Sequence, residues 1–328
     1  MSFRKRLSPL RNLSEVRTAN GEHRSTTPAC ADTGRMRKGE SVNQTQSAEP
    51  RREKVSVEEC RITVDGVSWR YQRAGSGRAL VLVHGLLGYS FSWRFALPCL
   101  AEYATVYAVD LPGAGFSESP QGMDCGMRAS ARRLHRFMDE VGITSCDLLG
   151  TSHGGAVAML AAAQAPERIR RLILVDPVNP WSARGRFLSV LLSNGLVAPI
   201  FVQLAPRLPA LREHYFRRLY GDTRRIHPGT LEGYSEPLRR PAAFAYGIGV
   251  LRSWNRDVRE LEAILPQLSQ IPTLLIWGKL DKAVYPESAY RLKEQFRECR
   301  LLMLEGVGHL PYEEVPDEFH RAVLQFLS

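Results

Sequence analysis

The sequence predicts an α/β architecture: a mostly parallel eight-stranded sheet with helices on both faces and one helical insertion. Three observations carry this. Short apolar runs alternate with helix-like segments from about residue 60 to the C-terminus, the pattern of strand–helix–strand units. That rhythm breaks once, between about residues 178 and 268, where the chain turns Arg-rich, aromatic and helical. Finally, Gly150-Thr151-Ser152-His153-Gly154 places a tight turn between a strand-like and a helix-like run. With 328 residues, 44% hydrophobic and 24% charged, the chain is long enough to bury a sizeable core.

The elements follow in order. Residues 60–64 and 67–73 alternate in polarity around Asp65-Gly66, a favoured type I′ turn pair, and predict an opening antiparallel hairpin. Residues 79–83 and 104–109 are continuous apolar runs, as expected of strands covered on both faces, with a helix-like segment holding Trp93, Phe95, Leu97 and Leu100 between them. Met127, Ala131, Leu134, Met138 and Val141 share one helix face, and the run at 146–149 then leads into Ser152. Residues 171–175, 273–277 and 301–304 read as three further strands. A last helix starts near Pro316 and aligns Phe319, Val323 and Phe326. The expected organisation is a basic, disordered tail over residues 1–55, a core over 56–177 and 269–328, and a helical cap over 178–268.

Charge and composition exclude several functions. The net charge of +10 divides as +6 over residues 1–55, 0 over 56–180, +6 over 181–265 and −2 over 266–328. Split between a tail that cannot bury apolar surface and the insertion, it does not form the footprint of a nucleic-acid binder. The six cysteines are scattered without a Cys-x-x-Cys spacing, which suggests neither zinc nor disulfides and suits a cytoplasmic protein. Residues 187–206 are uncharged until the end, but Asn194, Gly195, Pro199 and Gln203 interrupt them, so a buried or lid helix pair is expected and no membrane span. With no phosphate loop, dinucleotide fingerprint or metal-ligand cluster, no cofactor and no metal are implied.

The chemistry converges on Ser152. Glycines at 150 and 154 allow a sharp reversal that lifts the hydroxyl clear, and the following helix start offers unpaired N–H groups to a developing oxyanion. An alcohol needs a base and an orienting acid. His309, in Gly306-Val307-Gly308-His309 after the last strand, has the best setting for the base. Asp281 at the end of the 273–277 strand is the favoured acid, with Asp176, at the end of the strand before it, as competitor. His84-Gly85-Leu86 follows another strand and supplies a second oxyanion donor at the Leu86 N–H, beside that of His153. His84 itself reads as structural, as does the glycine-rich turn from Asp110 to Ser117.

With these landmarks in this order, the chain resembles a capped serine hydrolase, esterase- or lipase-like, of the α/β-hydrolase superfamily. The resemblance implies Ser152 as nucleophile, His309 as general base and then acid, Asp281 as its partner, and Leu86 with His153 as oxyanion donors. The elbow carries Thr151 and His153 rather than the His and Met common in lipase-like members. Serine at the elbow sets aside dehalogenase- and epoxide-hydrolase-like chemistry, which uses an aspartate there.

The expected activity is hydrolysis of a small to medium, largely apolar carboxylic ester through an acyl-enzyme. Carbon–carbon bond hydrolysis and cofactor-free perhydrolysis share the triad, and a non-catalytic ligand-binding protein shares the fold. Phe91, Trp93, Trp181, Phe187, Phe244, Tyr246 and Trp254 are candidates for an acyl pocket.

Overall fold

The opening turn forms as its residues require: Asp65 and Gly66 both take positive φ, 49° and 78°, joining β1 (Glu58–Val64) to β2 (Val67–Ala74). The computed structural model describes residues 55–182 and 194–328. The basic tail expected over residues 1–55 thus lies almost wholly outside the described residues, as does Phe187. Beyond the hairpin come β3 (Ala79–Val83), β4 (Thr105–Val109), β5 (Cys146–Thr151), β6 (Ile169–Val175), β7 (Thr273–Gly278) and β8 (Cys299–Leu304). The eight strands form one sheet in the order β1-β2-β4-β3-β5-β6-β7-β8, antiparallel as far as β4 and parallel from there on.

The apolar runs explain this sheet. Successive residues of β3 face opposite sides, so Val81 and Val83 join one core layer while Leu80 and Leu82 join the other. The segment expected as one helix around Trp93 is instead a short 3-10 turn, Ser90–Trp93, followed by α1 (Ala96–Leu100). One layer is completed by α2 (Met127–Glu140) and α3 (His153–Gln164), whose Leu134, Phe137, Val157 and Leu160 pack on the sheet. The opposite layer holds Leu97 and Leu100 of α1.

Between β6 and β7 the described chain is helical: α4 (Val197–Leu204), α5 (Pro209–Leu219), α6 (Thr230–Ser235) and the 28-residue α7 (Pro241–Leu268). After β7 come α8 (Glu287–Lys293), α9 (Pro311–Glu314) and α10 (Pro316–Leu327), and α10 adds Phe319, Val323 and Phe326 to the layer containing α1. Among the described residues no helix is long and apolar enough to cross a membrane.

One buried ion pair ties the insertion to the sheet. Arg94 donates two hydrogen bonds to the fully buried Glu313, one of them 2.6 Å, and a third to Thr230 Oγ1 on α6 at 2.8 Å. Tyr234, also on α6, donates to the same carboxylate at 2.7 Å. Glu313→Ala leaves the guanidinium and the phenol without their acceptor. Breaking a buried pair from one side costs about 3 kcal/mol or more. A urea titration is expected to show that loss, and a midpoint unchanged from the parent would refute the clamp.

Candidate active site

Parallel topology brings the candidate residues together. Val83 pairs with Gly150, Thr151 with Val175, Val175 with Ile276 and Gly278 with Leu304, so the C-terminal ends of five neighbouring strands line up. The loops leaving them carry His84, Ser152, Asp176, Asp281 and His309. The chain runs from β3 outward to β4 and then returns to the other flank of β3 as β5. That makes β3 and β5 the switch point where an open sheet leaves a crevice.

The turn at Ser152 is as tight as its glycines suggest. Ser152 sits at φ 53°, a left-handed conformation costly for any residue but glycine. A Cβ on Gly150 would lie 2.4 Å from the Gly154 carbonyl oxygen, and one on Gly154 would lie 2.3 Å from the His84 carbonyl oxygen. Gly85 passes so close that its Cβ would meet Ser152 Cβ at 3.2 Å. His153 is the first residue of α3, so its N–H has no acceptor within the helix.

His309 and Asp281 are joined directly, with Nδ1 2.7 Å from Oδ2, and both are buried. The other Asp281 oxygen accepts the N–H groups of Ala283, at 2.6 Å, and Val284, at 3.1 Å, so the carboxylate is fixed from both sides. Asp176 is not the residue bonded to His309, but it is adjacent: Asp176, Asp281 and His309 present polar atoms all within 4.8 Å of one another. Asp176 Oδ1 accepts the Gly278 N–H at 3.0 Å. Burial, and then the charge of nearby Asp281, push its pKa well above the usual carboxylate range, and its Oδ2 has no hydrogen-bond partner among the described residues.

The His309 loop is seated against the insertion. His309 N–H donates to the Leu219 carbonyl at 2.7 Å, and the buried Glu314 carboxylate accepts N–H groups from Gly308, Gly221 and Asp222 at 2.7, 3.0 and 3.1 Å. A Cβ on Gly278 would fall 1.9 Å from the Gly308 carbonyl oxygen, and one on Gly308 would fall 2.4 Å from the Gly221 nitrogen. Glycines from three distant segments thus permit backbone contact beneath the histidine. Sequence reading missed Glu314 and Gly221; no local pattern marks a contact between segments 80 or more residues apart.

Burial lowers the pKa of both His84 and His153. His84 Nδ1 faces its neighbour's carbonyl, Gly85 O, at 2.8 Å while Nε2 receives the Leu111 N–H at 3.1 Å, which fixes the Nδ1–H tautomer of a structural histidine. Burial pulls the His153 pKa down to about 3, with a smaller contribution from His84. The Asp110 carboxylate accepts the N–H groups of Ser90, at 2.8 Å, and Phe116, at 2.9 Å, so that turn shapes loops as expected.

A cavity of about 510 Å³ opens at these residues, lined by Leu86, Ser152, His153 and His309. Its walls are mostly apolar, including Val178, Phe216, Leu251, Val284 and Tyr312. Of the aromatic candidates among the described residues only Trp254 lines it; Trp93, Phe244 and Tyr246 are buried in packing clusters instead. The rim comes from α5, where Leu211, His214, Tyr215 and Arg218 follow helical spacing, and from Lys282. Ser152 and His309 share the cavity, and the hydroxyl makes no hydrogen bond among the described residues. Such bonds often tighten only with substrate present.

A serine on a strained strand–helix turn shares one cavity with an imidazole bonded to a carboxylate, an arrangement chemically suited to nucleophilic catalysis. The sequence model of the alpha/beta hydrolase fold matches residues 78–316, and the chain belongs to that family. It is 27% identical over 281 residues to a 2-hydroxy-6-oxo-2,4-heptadienoate hydrolase of Pseudomonas putida, covering 81% of this chain and 95% of that one. It is also 29% identical over 262 residues to a pimeloyl-[acyl-carrier protein] methyl ester esterase of Aeromonas hydrophila, covering 78% and 98%. Among solved structures, a bacterial membrane phospholipase A superposes with a TM-score of 0.69 at 28% identity, covering 83% of this chain and 86% of that one.

Proposed function

We propose that the protein is a serine hydrolase of largely apolar carboxylic esters. The observation that carries this reading is the shared cavity: Ser152 on its strained turn, with His309 held by Asp281, against mainly apolar walls. Ser152 Oγ attacks the ester carbonyl as His309 Nε2 takes its proton, and Asp281 supports the imidazolium that forms. The Leu86 and His153 N–H groups receive the oxyanion. His309 then hands the proton to the leaving alcohol, and a water deprotonated by His309 releases the acid and restores Ser152. In this reading residues 56–177 and 269–328 are the catalytic core, and 178–268 the cap that supplies the α5 rim. The free thiols at Cys60, Cys99, Cys125, Cys146 and Cys299 suit a reducing compartment such as the cytoplasm.

Two similar proteins named for ester chemistry, the esterase and the phospholipase, support this reading. A second reading, hydrolysis of a carbon–carbon bond in a vinylogous diketo acid, is favoured by the Pseudomonas relative and by the basic Arg218 and Lys282 on the rim, which suit a substrate carboxylate. Turnover of p-nitrophenyl esters from acetate to palmitate, beside such a diketo acid, separates the two. The expected result is faster hydrolysis of an ester, with the best chain length sizing the cavity. Faster cleavage of the diketo acid would overturn the ester reading.

A further inference from the structure

Large apolar side chains exposed in the described chain concentrate in one place. Leu196, Ile200, Leu204, Leu208, Leu211 and Tyr215 are all exposed, against only Val57, Tyr103, Leu280 and Tyr290 elsewhere. Leu196, Ile200 and Leu204 share one face of α4, Leu211 and Tyr215 one face of α5, and Leu208 lies at the turn between the two helices. The α4 sequence, VAPIFVQL, is apolar almost all round. Its inner face is covered: Phe201 and Val202 pack with Ala205, Leu238 and Phe244. Its outer face is not, with Leu196 at 82% exposure, Ile200 at 61% and Leu204 at 49%. A helix apolar on every side belongs where both sides are covered, and a contiguous exposed patch of this kind marks an interaction surface.

The patch also has a charge sign and a destination. Glu213 is the sole acid in the sequence from residue 194 to 221, and it is paired to Arg217 at 2.8 Å, while Arg207 and Arg218 are exposed. At its α5 end the patch enters the cavity rim through Leu211 and Tyr215, with His214 and Arg218 beside them. A second copy of this face fits poorly, because it offers these arginines no acid except the already paired Glu213. An anionic bilayer matches both features, since acyl chains accept the leucines and headgroup phosphates accept the guanidinium groups.

We propose that the outer face of α4 and α5 docks on an anionic phospholipid surface, setting the mouth of the cavity at the headgroup–acyl boundary. Docking itself is independent of catalysis; entry of a lipid ester from that boundary rests on the ester-hydrolase reading.

The test is flotation of the full chain with phosphatidylcholine vesicles and with vesicles containing phosphatidylglycerol. The parent and Ser152→Ala are expected to bind the anionic vesicles equally and to release at high salt. Ile200→Asp combined with Leu204→Asp removes two apolar side chains outside the cavity lining. It is expected to weaken vesicle binding about tenfold or more, because burying one leucine-sized side chain is worth about that factor. Its hydrolysis of a soluble butyrate ester is expected to stay unchanged. Should that variant fold poorly, Arg207→Glu serves as the second, with the same direction. Equal vesicle binding by the parent and both variants would overturn the proposal. So would a parent dimer that the variants dissociate and that ignores vesicles. If the parent binds the vesicles while turning over no ester, docking stands and the ester reading fails.

Discussion

Ser152→Ala is expected to lower kcat on the preferred ester by about 10⁴-fold or more, with KM little changed, since the substitution removes a group that acts only in the reaction. The fold should tolerate it. Alanine meets the same strain as serine at φ 53°, and the hydroxyl makes no hydrogen bond among the described residues whose loss would destabilise the chain. Ser92 and Ser182 also line the cavity, but neither stands on the β5–α3 turn. Alanine at either is expected to leave kcat within about a few-fold of the parent, which makes them controls for loss of cavity polarity. Steady-state kinetics of the three variants, with thermal melts to verify folding, checks this.

The second large effect separates the two carboxyl groups. Asp281→Asn is expected to cost about 10⁴-fold in kcat. Asp281 accepts on both oxygens, from His309 on one side and from Ala283 and Val284 N–H groups on the other. An amide has one oxygen, so its NH₂ must face either those backbone donors or the imidazole, and the second choice imposes the wrong tautomer. Asp176→Asn meets no such conflict. Its amide oxygen can still accept the Gly278 N–H, and its NH₂ places no charge beside Asp281, so activity is expected to stay within about tenfold of the parent. A near-normal Asp281→Asn beside a dead Asp176→Asn would reverse the assignment.

Asp176 also has a pH signature. Its folded pKa is raised, chiefly by burial, so its contribution to stability is fully present below the unfolded value near 3.8. That contribution is lost as pH rises toward the raised folded pKa. Asp176→Asn has no proton to lose and is therefore expected to gain stability relative to the parent between acid and neutral pH. Denaturant midpoints across that range measure the gain, and parallel profiles would refute it.

How much of this was legible beforehand follows from range. The strands were readable because parallel strands buried on both faces are locally apolar, and the opening turn because Asp65-Gly66 carries its own conformational preference. Ser152 and His309 stand in short glycine-marked turns. The preference for Asp281 over Asp176 rested only on strand-end logic, because β6 and β7 are neighbours and both strand ends reach the same histidine. The 2.7 Å contact that pairs Asp281 with His309 is a long-range fact. Aromatic residues misled for a related reason: hydrophobicity marks burial but not direction. Trp93 is fully buried against Tyr312, whereas the cavity rim is built by modestly apolar α5, whose Leu211 and Tyr215 face outward.

The central claim is that Ser152 is a nucleophile activated by His309. Intact-mass spectrometry after treatment with a fluorophosphonate, followed by peptide mapping, tests it without knowledge of the substrate. The expected result is one adduct per chain, mapped to Ser152, absent in Ser152→Ala and much slower in His309→Ala. A folded parent that takes no adduct, or takes it at another residue with Ser152 unmodified, would contradict the account.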